Sequence, residues 1–270
     1  LAERYLSPGD RLVGFVGDSG AGKSLLIRGM FPGLELTNDD DGINIRPLPL
    51  TSHYETGRFR AHTYHVDVRF ESAFQQPWQL AEAVREAMNE GKRVVVEHFD
   101  QLYPVLKVNP AVLIGVGEEV LVTRPGIFGP EPQEIVDVVY KSIHFRKMAH
   151  TAEDLTAKVL VDMGYGRPKY HSDIHHGFLL GFNERPDFDL DYIEEQVQLM
   201  IAKDVAIHCH DDEHISIGPR TIFPCSGPRI HVTRTGEIVG FRLLKEFKWD
   251  YLTEQYYLVG FVGNSRQEGE

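Results

Sequence analysis

The residues best suited to chemistry stand near the start of the chain, in Gly17-Asp18-Ser19-Gly20-Ala21-Gly22-Lys23-Ser24, which fits the spacing G-x-x-x-x-G-K-[ST]. Glycines at 17, 20 and 22 can take positive φ and bring backbone N–H groups close together, so the turn can become a concave nest of donors that suits an anion. Lys23 adds a point charge that a phosphate would meet, and Ser24 a hydroxyl suited to Mg²⁺. Such a loop needs a strand before it and a helix after it. The apolar run Leu12 to Val16 supplies the strand. Leu25, Leu26 and Ile27 continue the helix, whose dipole would point its positive end at the same anion.

Carboxylates follow at two places. Phe31-Pro32-Gly33 stops the first helix, Leu34 to Leu36 reads as a short strand, and Asp39, Asp40 and Asp41 come next. One of these could orient Mg²⁺ or accept a proton from a substrate hydroxyl, or the run could be a solvated acidic turn. The second place is Val94-Val-Val-Glu97-His-Phe-Asp100, an apolar run ending in carboxylates, as a buried parallel strand would if its C-terminal end faced the phosphate site. Glu97 or Asp100 would then hold Mg²⁺ directly or through water. Between them, Thr63 to Phe70 alternates as a strand, and Pro77 to Asn89 carries apolar residues at 80, 83, 84, 87 and 88, the spacing of an amphipathic helix. Ala111–Val116 and Glu119–Thr123 are further strand candidates.

The motif resembles the Walker A loop of P-loop NTPases and kinases. Together with the acidic strand it makes residues 8 to 125 similar to a nucleoside-kinase or uridine-kinase type of P-loop domain. That resemblance implies an α/β unit with a mainly parallel sheet that binds ATP or GTP with Mg²⁺. Asp39, Asp40 and Glu97 would be the catalytic carboxylates, and residues 17 to 24 would hold the nucleotide. The arginine-rich lid helix of such kinases has no counterpart here, only Arg124.

A second constellation lies in the other half, where nine of the thirteen histidines fall. From Pro132 a helical pattern runs on to Met163, and on it His150 and Asp154 are four apart, so their side chains share one face and can grip one cation. Far along the chain come Cys225-Ser-Gly-Pro-Arg-Ile-His231 and Val232-Thr-Arg-Thr-Gly-Glu-Ile238. Residues 140 to 262 resemble the editing domain of alanyl-tRNA synthetase and its free-standing relatives, with a helix beginning His-x-x-x-His, a later Cys-x-x-x-His, and a Thr-Gly-Glu-Ile turn leading into a strand. Gly177–Phe182, Ala206–His208, Phe241–Leu244 and Tyr256–Phe261 read as its strands, and Leu190 to Ile201 as its helix. The resemblance implies an α+β domain with a zinc-type site made by His150, Asp154, Cys225 and His231, where a metal-bound water or the metal itself would position an aminoacyl ester. Two departures matter: the second helix histidine is Asp154, and the Cys-to-His spacing is two residues longer. Zinc accepts a carboxylate oxygen beside imidazole and thiolate, so the set is chemically sensible. His208 to His214 reads instead as a solvated rim.

Two domains are therefore expected, residues 1–131 and 132–270. A net charge of −12, spread over both halves, argues against extensive contact with tRNA or other nucleic acid. The chain starts at Leu1, so a trimmed start is expected. It shows no signal-peptide pattern and no run of about 18 apolar residues. Two cysteines are too few for a disulfide scaffold, and a cytoplasmic location is expected. The functions in view are a Mg²⁺-dependent small-molecule kinase or NTPase, a nucleotide-regulated hydrolase of an aminoacyl ester or amide, and a nucleotide-gated binding module without turnover. The sequence leaves the acceptor, the base and the oligomeric state open.

Overall fold

The structure, a computed structural model, describes residues 2–37, 48–211, 213–225 and 230–264. It divides into two compact units after Lys141 rather than after residue 131. The first contains α1 (Ala2–Tyr5), β1 (Leu12–Gly17), α2 (Lys23–Met30), α3 (Pro49–Glu55), β2 (Thr63–Asp67), α4 (Val68–Glu71), α5 (Pro77–Asn89), β3 (Arg93–Glu97), α6 (Phe99–Leu106), β4 (Val112–Val116) and β5 (Val120–Thr123). Its sheet has the order β2-β3-β1-β4-β5, with the first four strands parallel and β5 antiparallel at one edge. Helices on such a sheet bury both faces of its strands, which is why Val94, Val95 and Val96 are all 0% exposed and read as an unbroken apolar run. The helix α5 begins where its residues dictate. Pro77 sits at its first turn, and Gln76 and Gln79 satisfy each other's backbone N–H groups.

One strand expectation fails. Leu34 to Leu36 forms no strand. The element that pairs beside β3 is β2, so the acidic residue at the end of the second strand is Asp67. There the alternating pattern of 63 to 70 breaks, because the Asp67 carboxylate accepts from the N–H groups of Arg69 and Phe70 and starts α4. Arg124 is equally structural. It grips the Asp10 carboxylate through both guanidinium nitrogens at 2.9 Å and caps Tyr5 O at 2.7 Å.

The long helix α7 (Pro132–Asp162) is unbroken, and the division between the units falls within it. The second unit continues with β6 (Tyr170–Ile174), β7 (Gly177–Phe182), α8 (Leu190–Ala202), β8 (Ile207–Asp211), β9 (His214–Ile217), β10 (Thr221–Pro224), β11 (Arg242–Leu243), β12 (Lys248–Asp250) and β13 (Gln255–Phe261). These make an antiparallel sheet β11-β13-β7-β6, with β12 also on β13, and a smaller antiparallel sheet β10-β9-β8. Met148, Ala152, Leu155 and Leu160 of α7 share one core with Phe178, Leu180, Ile193, Val197 and Leu258. The Thr-Gly-Glu-Ile segment is a turn as expected, of the 3₁₀ kind over Thr235–Glu237. Thr235 accepts from Val205 N and donates to Met200 O, while Glu237 Oε1 accepts from Thr233 N and Arg234 N, so the turn is tied to the end of α8. Among the described residues no helix is long and apolar enough to cross a membrane.

Candidate functional site

In the parallel sheet Phe15 of β1 pairs with Glu97 of β3, and Glu97 with Asp67 of β2, so the C-terminal ends of three strands lie in one row beneath the loop that follows β1. That loop is shaped by its glycines. Gly17 has φ 149°, and a Cβ there would stand 2.5 Å from Val116 O, a backbone atom that cannot move aside. Gly22 has φ 99° at the start of α2, and a Cβ added there would meet nothing within 4 Å, so its side faces open space.

Lys23 is only 4% exposed and lies back over the loop, its Nζ donating to Asp18 O at 2.8 Å and to Gly17 O at 3.2 Å. Burial lowers its pKa, and the charge of Glu97 offsets part of that. Tyr140 Oη donates to the same Gly17 O at 3.4 Å and accepts from Arg69 at 3.2 Å. Ser24 Oγ donates to Glu97 Oε1 at 3.0 Å, the pair that the sequence places on either side of a Mg²⁺.

His65 completes this arrangement, and its only signal in the sequence is its place in an alternating strand. Its Nδ1 accepts from Thr37 N at 3.0 Å, so the ring proton sits on Nε2 and is donated to Glu97 Oε1 at 3.1 Å. Burial pushes the Glu97 carboxyl up, but the His65 hydrogen bond, the Ser24 hydroxyl and the Lys23 charge together bring it below its ordinary value. It is therefore an anion at neutral pH. The next residue, His98, has φ 56° and is 6% exposed; its Nδ1 has no hydrogen-bond partner among the described residues. Burial first, then the charges of Lys23 and Arg69, lowers its pKa to about 4, which leaves the imidazole neutral. Asp100, the alternative cation ligand, lies in the first turn of α6, where burial raises its pKa. Asp39, Asp40 and Asp41 lie outside the described residues.

In the second unit three of the four expected ligands meet. Ligand atoms of Asp154, Cys225 and His231 lie within 4.8 Å of one another. His231 Nε2 is 3.5 Å from Cys225 Sγ and 3.7 Å from Asp154 Oδ2. The hydroxyl of Thr151 donates to Lys147 O at 2.8 Å and lies 3.4 Å from His231 Nδ1. A proton on Nδ1 fits that contact, and it leaves the Nε2 lone pair facing the cysteine and the carboxylate. His150 departs from the expectation. Its Nε2 lies 2.8 Å from Asp173 Oδ1 and its Nδ1 3.3 Å from Ile230 O, so both nitrogens face oxygen acceptors instead of the trio. Burial works to raise the Asp173 carboxyl, but His150 and then Arg146 hold it well below the usual carboxylate range. The partner that claims His150 comes from β6, a strand that the polar run Tyr170-His-Ser-Asp-Ile174 concealed. Among the described residues, the histidines of 208 to 214 form no metal-ligand cluster: His208 and His210 are exposed, and His214 meets Asp211 at 2.8 Å.

No protein-family model matches this chain, and no curated protein matches it.

Proposed function

We propose that the first unit binds ATP or GTP with Mg²⁺ and acts as a small-molecule kinase or NTPase. The observation that carries this reading is the contact of Ser24 Oγ, in the first turn of α2, with Glu97 Oε1 at the end of β3, at 3.0 Å and beside a buried lysine after a glycine-shaped loop. The donor set fits the group: a hydroxyl and an ionised carboxylate suit a hard cation, and backbone N–H groups with an ammonium suit the phosphates. When bound, Mg²⁺ would neutralise charge on the phosphates; Ser24 and Glu97 would hold it, residues 17 to 22 would seat the phosphates and Lys23 would contact their outer oxygens. His65 keeps Glu97 in place by donating to it while Thr37 fixes the ring. Asp39 or Asp40 would take the proton of an acceptor hydroxyl.

Lys23→Ala tests the reading. One charge-assisted contact contributes about 1.5–3 kcal/mol, so affinity for ATP or GTP with Mg²⁺ is expected to fall by roughly tenfold to more than a hundredfold in calorimetry. Unchanged affinity would remove the nucleotide reading.

A second reading has its own support in the second unit. The trio of carboxylate, thiol and imidazole favours a zinc-type ion there, held by Asp154, Cys225 and His231, with hydrolysis of an aminoacyl ester or amide as the chemistry it would serve.

A further inference from the structure

Glu97 has a second set of neighbours. Ligand atoms of Asp67, Glu97 and His98 lie within 4.8 Å of one another, and all three residues are buried, at 6%, 2% and 6% exposure. Two carboxylates beside an imidazole whose Nδ1 meets no hydrogen-bond partner among the described residues form a donor set for a divalent ion. The backbone also keeps this set in place. Asp67 is fixed by the two N–H groups it caps, and Glu97 by His65 and Ser24.

We propose that Asp67, Glu97 and His98 bind a divalent cation of the Mn²⁺ type, at a position separate from the Ser24 hydroxyl that faces the nucleotide's Mg²⁺. An imidazole in the set favours a transition ion over Mg²⁺, which prefers oxygen ligands. Glu97 is shared: its Oε1 accepts from Ser24, and its carboxylate also belongs to this trio. The cation's place beside the phosphates rests on the nucleotide reading, whereas its binding does not. With both ions present, the first unit would carry positive charge on two sides of one carboxylate, as two-metal phosphoryl-transfer sites do.

Titration of the nucleotide-free full chain with Mn²⁺, followed by electron paramagnetic resonance of the free ion, tests this. A Cys225→Ser background removes the second unit's cluster from the count. One Mn²⁺ per chain is expected, bound at least tenfold more weakly in His98→Asn and in Asp67→Asn. Asparagine is chosen at both positions because it tolerates the left-handed backbone at 98 and can still cap α4 at 67. Lys23→Ala should keep its Mn²⁺ while losing nucleotide. Absence of Mn²⁺ binding, or equal affinity in a folded His98→Asn, overturns the proposal. A parent that binds Mn²⁺ through these residues but never binds nucleotide would sustain the cation site and remove only its link to phosphates.

Discussion

Glu71 gives the sharpest quantitative expectation. It is the last residue of α4, fully buried, with Oε2 accepting from Gln75 at 2.8 Å and Oε1 without a hydrogen-bond partner among the described residues. Burial, and then the negative charge of Asp67, pushes its pKa from an ordinary 4.5 up to about 8. Below pH 4.5 the acid is protonated whether the chain is folded or not, and the shift has no effect on stability. As pH rises from 4.5 to 8 the unfolded chain releases the proton while the folded one keeps it, so stability falls across that window. At about 1.36 kcal/mol per pH unit, the loss reaches about 3 kcal/mol at pH 7. Glu71→Gln has the shape of the protonated acid and no charge to release. It should therefore stabilise the first unit by up to about 3 kcal/mol at pH 7 and by almost nothing at pH 4.5. Hydrogen exchange of the Val94–Val96 amides, referenced to unstructured peptides at each pH, would report that unit alone. A stabilisation that stays the same from pH 4.5 to 7 would refute the argument, since it would show that Glu71 ionises no differently when the chain unfolds.

Three further expectations follow from other parts of the chain. Gly14→Ala would place a Cβ 2.8 Å from Cγ of the buried Phe99 and should cost about 1–3 kcal/mol in a thermal or urea melt; an unshifted midpoint would mean that the strand and α6 are less tightly packed than described. Asp10, whose pKa Arg124 lowers to about 2 against burial, stabilises the fold above its ordinary 3.8 and loses that contribution as pH falls through about 2. Because Arg124 is half exposed, Asp10→Asn should cost only about 1 kcal/mol at pH 7, and a penalty as large at pH 2 would count against the ion pair. Protein purified without a histidine tag should contain close to one zinc per chain by elemental analysis, lost in Cys225→Ser, and a folded, metal-free parent would remove the second site.

Much of the first unit was legible because its signals are local. The glycine loop, the apolar β3 run ending at Glu97 and the periodic α5 each declare themselves within a few residues. What the sequence concealed are partnerships across long separations. His65 reaches Glu97 across 32 positions, and Asp67 becomes the carboxylate at the end of the second strand only because β2, not Leu34–Leu36, pairs with β3. Helical spacing and the editing-domain resemblance together offer His150 as a ligand, whereas the residue its Nε2 meets, Asp173, sits on a strand too polar to be read as one.

Cys225 is held through its N–H by Glu213 O at 2.7 Å, and the backbone just after His231 is held by Val232 N donating to Thr151 Oγ1 at 3.1 Å. Both ends of the connection are thus clamped independently of what runs between them. Insertions or deletions there can accumulate as drift while the thiol and the imidazole keep their positions, so the count of intervening letters says little about whether the pair can act together.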